Sequence, residues 1–302
     1  MGGRVAKHLH RAGHLIVLGT RQAYRSPEWL PQAEVVQLHW HDAAALERSC
    51  RGVDVVIHAA GMNAQDCVAD PVAALEFNGL ATARLLAAAI RAGVQRFIYL
   101  STAHVYASPL VGTITENTCP RNLHPYATSH LAGEYAVLAA GQRGQIHGIV
   151  LRLSNAFGAP MWKDVNCWTL LVNDLCRQAV VTGQLKLHTS GMQLRDFITL
   201  EDVSRAVLHI LQAESRILAD GLFNLGGDAV TSILAMTEHV TARWKVMTGK
   251  DLPISRPEPS GPLPEPLDYS CDKLKATGFS LTSQVHQEID ATLGLCMASF
   301  GT

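Results

Sequence analysis

The chain has 302 residues, enough for one large domain or for a main domain with a smaller one appended. Its 25 basic and 26 acidic residues nearly cancel, so the charge does not favour binding to a nucleic acid or to an anionic membrane. The seven cysteines form no Cys-x-x-Cys pair, which argues against a disulfide framework or a zinc site. No apolar run approaches the roughly 20 residues that span a bilayer, and none near the N-terminus is long enough for a signal peptide. We therefore expect a cytoplasmic globular protein without a bound metal.

The first half of the chain alternates apolar runs with helical patterns. A helix over residues 3–12 precedes an apolar run at 15–18, and such a run is typical of a strand that is covered on both faces in a parallel sheet. The alternation then predicts strands at 35–38, 53–58, 96–100 and 146–151 and helices at 43–50, 71–92 and 126–140. Strands that alternate with helices indicate an α/β fold with a doubly wound parallel sheet.

The alternation weakens after about residue 155. Helices at 166–181, 200–213 and 232–247 and a strand at 222–225 remain. Six prolines between residues 253 and 266 predict an extended surface loop. We therefore expect a dinucleotide-binding domain at 1–155 and a smaller, mainly substrate-binding region at 156–302, with elements such as 200–225 returning to the main domain.

Two polar segments stand out against this background. Tyr126 and His130 are four residues apart on a predicted helix, so their side chains share one face and can act on the same substrate atom. The strand at 96–100 runs out into Ser101 and Thr102, which carry hydroxyl groups.

Together with three further segments, these residues resemble the extended short-chain dehydrogenase/reductase family, the NAD-dependent epimerases and dehydratases of nucleotide sugars. Residues around Asn78 resemble the Asn-bearing helix of that family, residues 152–160 its Arg-x-x-Asn-x-Tyr-Gly-Pro segment, and residues 195–203 its Arg-Asp-Phe-Ile-x-x-x-Asp-Val segment. The resemblance implies a Rossmann-like sheet, NAD or NADP as cofactor, a nucleotide-sugar substrate, and a homodimer through the helices at 71–92 and 126–140.

By the same resemblance, Tyr126 is the catalytic base, Thr102 hydrogen-bonds the reacting oxygen, and His130 stands where the family has the lysine of Tyr-x-x-x-Lys. A free tyrosine has a pKa near 10 and needs a neighbouring cation to ionise at neutral pH. At about 5 Å a full charge is worth roughly 3 kcal/mol, whereas an unperturbed imidazole is only about a tenth protonated at about pH 7.5. We expect His130 to be a weaker substitute for lysine. The alternative is a binding or scaffold protein that keeps the fold without hydride chemistry.

The cofactor side departs from the family pattern. The family begins with a strand and Gly-x-x-Gly-x-x-Gly, and here Gly2 has the spacing of the last of these glycines, so we expect about ten further residues upstream. Arg21 follows the strand predicted at 15–18, which corresponds to the second strand of the family. An arginine at this place favours NADP, although a solvated arginine is equally compatible with the sequence. The residues expected around the cofactor are Gly2, Thr20, Arg21, Ala59, Ala60, Gly61, Asn78, Ser101, Tyr126 and His130.

For the substrate, Asn155 and Arg195 are the candidates that bind the nucleotide diphosphate, because arginine pairs well with phosphate oxygens. Arg256, in the proline-rich loop, is a further candidate. An internal ion pair between Arg195 and Asp196 is the alternative. No acid pair follows Thr102, which favours an epimerase or a reductase over a dehydratase.

Overall fold

A computed structural model describes residues 1–22, 25–228, 230–260, 262 and 264–301. The strands in chain order are β1 (Val17–Thr20), β2 (Glu34–Gln37), β3 (Val55–His58), β4 (Arg96–Thr102), β5 (Gly112–Ile114), β6 (His147–Leu153), β7 (Asn155–Phe157), β8 (Leu185–Lys186), β9 (Leu194–Thr199), β10 (Leu222–Leu225), β11 (Val230–Ser232), β12 (Ile254–Ser255) and β13 (Leu267–Tyr269). The helices are α1 (Gly2–Arg11), α2 (Ala43–Cys50), α3 (Ala64–Ala69), α4 (Pro71–Ala74), α5 (Ala81–Arg91), α6 (Pro125–Gln142), α7 (Leu171–Thr182), α8 (Leu200–Gln212), α9 (Ile233–Thr248), α10 (Asp272–Lys275) and α11 (Val285–Phe300).

The main sheet is parallel, four-stranded and ordered β10-β6-β4-β3. Alternate residues of its strands enter two apolar cores, because successive side chains of a strand point to opposite faces. On one face Ile98 and Leu100 pack with residues of α1 and α8, and on the other face Phe97 and Tyr99 pack with residues of α5 and α6. Helices therefore cover both faces, and the predicted doubly wound parallel sheet is confirmed.

The first two strands form a separate parallel pair. Within the described residues β1 is hydrogen-bonded to β2 alone and β3 to β4 alone. The predicted strand at 15–18 begins two residues later than expected, because Leu15 is 97% exposed and has no strand beside it. The expectation that this segment is covered on both faces was wrong.

The predicted helix at 71–92 is one continuous helical run, in which a π-helical segment, Leu75–Leu80, joins α4 to α5. The continuous helix Pro71–Arg91 is long and apolar enough to cross a bilayer. Half of an apolar 18-residue stretch within it is buried in this fold. Its π-helical segment carries Asn78 and packs against α6.

A second apolar core lies among α7, α9 and α11. The predicted helix at 166–181 begins only at Leu171, and α11 was not predicted. The proline-rich segment is not a free loop throughout, because β12 near its start pairs with β8, and β13 at its end pairs with β5.

Candidate active site

Tyr126 and Thr102 lie near each other where β4 ends and α6 begins. Pro125 opens α6, and the imidazole of His124 caps the helix by accepting a hydrogen bond from the Tyr126 backbone N–H at 3.1 Å. Thr102 is the last residue of β4; its hydroxyl accepts a hydrogen bond from the His104 backbone N–H at 3.1 Å and is near enough to the Tyr126 phenol to lower the pKa of that phenol. The residue expected to act as the base and the residue expected to hydrogen-bond the reacting oxygen are thus brought together.

The electrostatics of this pair favour a protonated phenol. Burial raises the pKa of Tyr126, and the nearby Thr102 hydroxyl offsets this effect only in part. No lysine or arginine of the described residues contributes to that pKa. Tyr126 is therefore a proton donor at neutral pH.

His130 lies one helical turn after Tyr126 and is only 5% exposed. Its ring meets the Tyr126 ring edge-on, with centroids 4.6 Å apart. Burial, assisted by His58 and His104, lowers the pKa of His130 to about 3. The expectation that this imidazole is charged for part of the time at neutral pH was wrong, because desolvation disfavours the cation.

The loop after β3 lies against α6 on the His130 side. A Cβ built on Gly61 would lie 3.6 Å from His130 Nε2 and 3.3 Å from Asn78 Oδ1. Ala60 and Gly61 are exposed, whereas Ala59 is half-buried. The backbone of this loop is therefore open to a ligand on its outer side.

Asn78 was expected to contact the cofactor, and the structure gives its amide a different task. The side chain is fully buried; Oδ1 accepts a hydrogen bond from Met62 N at 2.8 Å, and Nδ2 donates to Ser129 Oγ at 3.0 Å. Asn78 thus fastens the loop after β3 to α6.

Ser101 was also expected near the cofactor, and its side chain is engaged within the protein. Its hydroxyl donates to the carboxylate of Glu134, which forms an ion pair with Arg152 at 2.6 Å. Both charged side chains are buried between α6 and β6. Ser101 therefore belongs to the core beneath the site.

The remaining cofactor candidates lie at the ends of α1 and β1. A Cβ on Gly2 would contact Cβ of Ala59 at 3.6 Å, so the first turn of α1 adjoins the loop after β3. The Thr20 hydroxyl donates to the carbonyl of Gln22, and Arg21 is exposed, with its guanidinium 5.9 Å from the Phe77 ring centroid.

These features fit a bound dinucleotide in most respects. Ligands of open α/β sheets bind outside the carboxyl ends of the strands, and here that edge combines exposed glycine backbone with a helix N-terminus. His130 Nε2 makes no hydrogen bond within the described part of the chain, so it is available to a cofactor hydroxyl. The site departs from the family pattern in its charge, because the neutral ring of His130 stands where the family has the ammonium group of a lysine.

Arg195 is the strongest of the three substrate candidates. Its half-buried guanidinium makes no hydrogen bond or ion pair with any described residue, and burial lowers its pKa. Burial, together with the charge of Arg195, lowers the pKa of His104, whose ring lies 6.3 Å from the ring of Tyr126. Arg195 is therefore an unpaired cation on the Tyr126 side of the site.

The other two candidates are engaged elsewhere. Nδ2 of Asn155 donates to the carbonyl of Asp196 at 2.8 Å and ties β7 to β9. Arg256 Nη1 donates to the carbonyl of Ser190 at 3.0 Å. Neither contact involves Tyr126 or His130, so their expected role at the diphosphate stays a prediction.

The sequence reasoning overlooked two residues. His104 sits beside Tyr126, and its ring nitrogens make no hydrogen bond with the described residues. Tyr99 places its hydroxyl 2.8 Å from Nδ1 of His130. The sequence did indicate a role for Tyr99, because a tyrosine between Ile98 and Leu100 brings a polar hydroxyl into a buried strand.

Known protein sequences resemble this chain over much of its length. The sequence model described as "NAD dependent epimerase/dehydratase family" matches residues 1–226. The dTDP-6-deoxy-L-talose 4-dehydrogenase (NAD(P)(+)) of Kitasatospora kifunensis is 30% identical over 217 residues, covering 70% of this chain and 64% of that protein. The dTDP-D-glucose 4,6-dehydratase of Mus musculus is 27% identical over 191 residues, covering 62% of this chain and 51% of that protein. The chain thus spans about half the length of the curated relatives it matches first.

A solved structure extends the similarity to the whole fold. The structure of RMD from Pseudomonas aeruginosa complexed with NADPH superposes with a TM-score of 0.74 at 23% identity, covering 98% of this chain and 96% of that one. At this level of identity the match supports the fold alone.

Proposed function

Because the chain belongs to the NAD-dependent epimerase/dehydratase family, we propose that it transfers hydride between NAD or NADP and a carbon of a nucleotide-activated sugar. In this proposal Tyr126 exchanges the proton of the oxygen on that carbon. The observation that carries it is the proximity of Tyr126 and Thr102 beside the open loop after β3. Two hydroxyl groups that converge in this way hold one substrate oxygen from two sides.

The protonation state of Tyr126 suits the donation of a proton to the substrate. The bound nicotinamide supplies or removes the hydride. As a carbonyl carbon gains hydride, its oxygen takes the proton of the Tyr126 hydroxyl, and the phenolate is reprotonated from solvent. Thr102 donates to or accepts from the same oxygen and keeps it in line with Tyr126. A raised pKa keeps Tyr126 protonated at neutral pH, which is the state that can donate a proton to the oxygen of a keto-sugar as it is reduced.

Arg195 gives the site its affinity for a nucleotide-activated substrate. A half-buried guanidinium without an internal partner is well suited to a diphosphate, which it can contact through two nitrogens. His104 is near both this charge and Tyr126, and its neutral ring can accept a hydrogen bond from a sugar hydroxyl. The sugar would then lie across Tyr126 while the diphosphate pairs with Arg195.

A second function is favoured by the lack of positive charge around Tyr126. A site with a neutral His130 and a protonated Tyr126 is also compatible with a protein that binds a nucleotide sugar and does not convert it. The two functions differ in whether a hydride reaches the sugar.

The test is transfer of deuterium from NADH and NADPH labelled at the reactive carbon of the nicotinamide to UDP-, GDP- and dTDP-linked keto-sugars. The proposal predicts a sugar product that carries one deuterium, loss of that product in Tyr126→Phe, and unchanged transfer in the matched control Tyr135→Phe, since Tyr135 is exposed on the same helix. Binding of the sugars without transfer to any of them would establish the second function instead.

A further inference from the structure

We infer that Tyr99 is a positioning residue of this site: its hydroxyl holds His130 in the tautomer whose Nε2–H points into the space beside Gly61, where it donates to the dinucleotide. The role of Tyr99 towards His130 rests on the protein's own geometry. The identity of the acceptor rests on the proposed function.

The hydroxyl of Tyr99 has little freedom. Tyr99 is fully buried, its ring stacks on that of His130 with centroids 5.8 Å apart at 26°, and its oxygen lies 2.8 Å from Nδ1. Gly133 of α6 makes room for it, because a Cβ at that position would lie 3.0 Å from the Tyr99 oxygen. The side chain is therefore confined between β4 and α6.

The single proton of this hydroxyl has one good acceptor. The other candidate, the carbonyl of Asn78, is 3.5 Å away and already accepts from Thr82 Oγ1 at 2.6 Å. A bond of 2.8 Å is well within hydrogen-bonding range, whereas one of 3.5 Å is at its limit. Burial raises the pKa of Tyr99, so the phenol keeps its proton and donates it to Nδ1 of His130.

Nδ1 is then an acceptor, and a neutral imidazole that accepts at one nitrogen carries its hydrogen on the other. The pKa of about 3 keeps His130 neutral across the physiological range. Its hydrogen therefore resides on Nε2, which has no acceptor among the described residues and lies 3.6 Å from a Cβ built on Gly61. This N–H is a fixed donor that faces the open loop.

A second histidine, His58, also contacts Tyr99. His58 stacks on Tyr99 with centroids 5.6 Å apart at 19°, and its Nε2 lies 3.0 Å from Thr82 Oγ1. Because the Thr82 proton goes to the carbonyl of Asn78, His58 must be the donor of that contact. His58 thus uses one of the two acceptor sites of the Thr82 oxygen, and Nδ1 of His130, at 2.8 Å, remains the best acceptor for Tyr99.

His130 therefore offers the dinucleotide a hydrogen-bond donor that carries no charge. A lysine at this position would repel the positively charged ring of the oxidised nicotinamide, whereas a neutral N–H would not. We expect His130→Lys to lower the ratio of NAD⁺ to NADH affinity relative to the unaltered protein.

The first experiment reads the tautomer directly in the protein without cofactor. In long-range ¹H–¹⁵N correlation spectra of the ¹⁵N-histidine-labelled chain, with His130→Gln used for assignment, we expect the Nε2–H pattern for His130. Tyr99→Phe should move His130 towards the Nδ1–H form, and Tyr135→Phe should leave it unchanged. An Nδ1–H pattern in the unaltered protein, or no response to Tyr99→Phe, would overturn the inference.

The second experiment is titration with NAD⁺ and NADH by fluorescence. Loss of one positioned hydrogen bond predicts about fivefold weaker binding of both forms in Tyr99→Phe and unchanged binding in Tyr135→Phe. His130→Gln keeps a donor and should bind more tightly than His130→Phe. If the unaltered protein binds no dinucleotide, the proposed function fails, and the spectra alone decide the role of Tyr99. Equal affinities in Tyr99→Phe and the unaltered protein would contradict the role proposed for Nε2.

Discussion

The ring of His130 meets the ring of Tyr126 edge-on, with centroids 4.6 Å apart and planes at 69°. The two side chains share one helix face, as their spacing predicts, but they do not share a charge, because burial keeps the imidazole neutral and the phenol protonated. The chemistry of the site follows from this combination, and placing a permanent cation beside Tyr126 changes it in a predictable direction.

His130→Lys should lower the pKa of Tyr126. An ammonium group at about 5 Å from the phenol stabilises its ionised form by roughly 3 kcal/mol at an effective dielectric of about 20, which corresponds to about two pKa units. The measurement is an ultraviolet titration of tyrosinate, with the spectrum of the same protein carrying Tyr126→Phe subtracted. His130→Gln is the uncharged control and should leave the Tyr126 titration in place. An unchanged titration in His130→Lys would mean that the position does not face the phenol.

Acidification should destabilise the protein through His58 and His130. Burial lowers the pKa of His58 to about 4 and that of His130 to about 3, while unfolded histidine titrates near 6.5. Between these values the unfolded chain binds more protons, so stability is fully present above pH 6.5 and is lost as the pH falls towards the folded pKa values.

Each histidine contributes about 1.4 kcal/mol per pH unit within this window. Urea denaturation between about pH 4.5 and 6 should therefore show a shallower pH dependence in His58→Gln and in His130→Gln. His188→Gln is the control, because His188 is exposed. If all three variants keep the slope of the unaltered protein, neither buried ring is neutral in the folded state.

Replacing one partner of the buried ion pair of Glu134 and Arg152 should destabilise the protein more than replacing both partners. Glu134→Gln or Arg152→Met alone leaves a buried charge without its partner and is expected to cost about 3–5 kcal/mol, while the double variant costs much less than the sum. A double-mutant cycle by urea denaturation measures this coupling. Glu214→Gln at the exposed pair with Arg216 should cost less than about 1 kcal/mol. Additive costs at the buried pair would contradict the interaction.

Arg195→Gln should weaken nucleotide-sugar binding without unfolding the protein. Loss of charge-assisted hydrogen bonds to a diphosphate predicts a decrease in affinity of about 10- to 100-fold. Because Arg195 has no partner among the described residues, the free energy of unfolding should change little. Calorimetric titration with nucleotide sugars measures the first quantity, and Arg143→Gln at the exposed end of α6 is the control. Equal affinity in both variants would remove Arg195 from the substrate site.

The local sequence pattern was sufficient to predict much of the fold and the proximity of Thr102 and Tyr126. The alternation of strands and helices up to residue 151 predicted the main sheet, and the ends of β4 and α6 placed Thr102 beside Tyr126. Parallel strands bring their carboxyl ends to one edge, so motifs at those ends converge without knowledge of the full fold.

The rest depended on tertiary packing. Asn78 and Ser101 have the residue types that a cofactor site needs, but their partners, Met62 N and Glu134, come from other elements and are not visible in a local pattern. The neutrality of His130 results from its burial, which only the packed structure reveals. Helix α11 was missed because it packs with α7 and α9 in a region without strand–helix alternation.

The most direct test of the central claim is the pH dependence of a single turnover, in which NADPH reduces an accepted nucleotide keto-sugar. If Tyr126 donates the proton and no titrating cation assists it, the rate should stay constant through neutral pH and fall only as the phenol ionises, above its ordinary pKa of about 10. Tyr126→Phe should abolish the reduction at every pH. A rate that falls across neutral pH with the titration of a histidine, or that survives in Tyr126→Phe, would contradict the account.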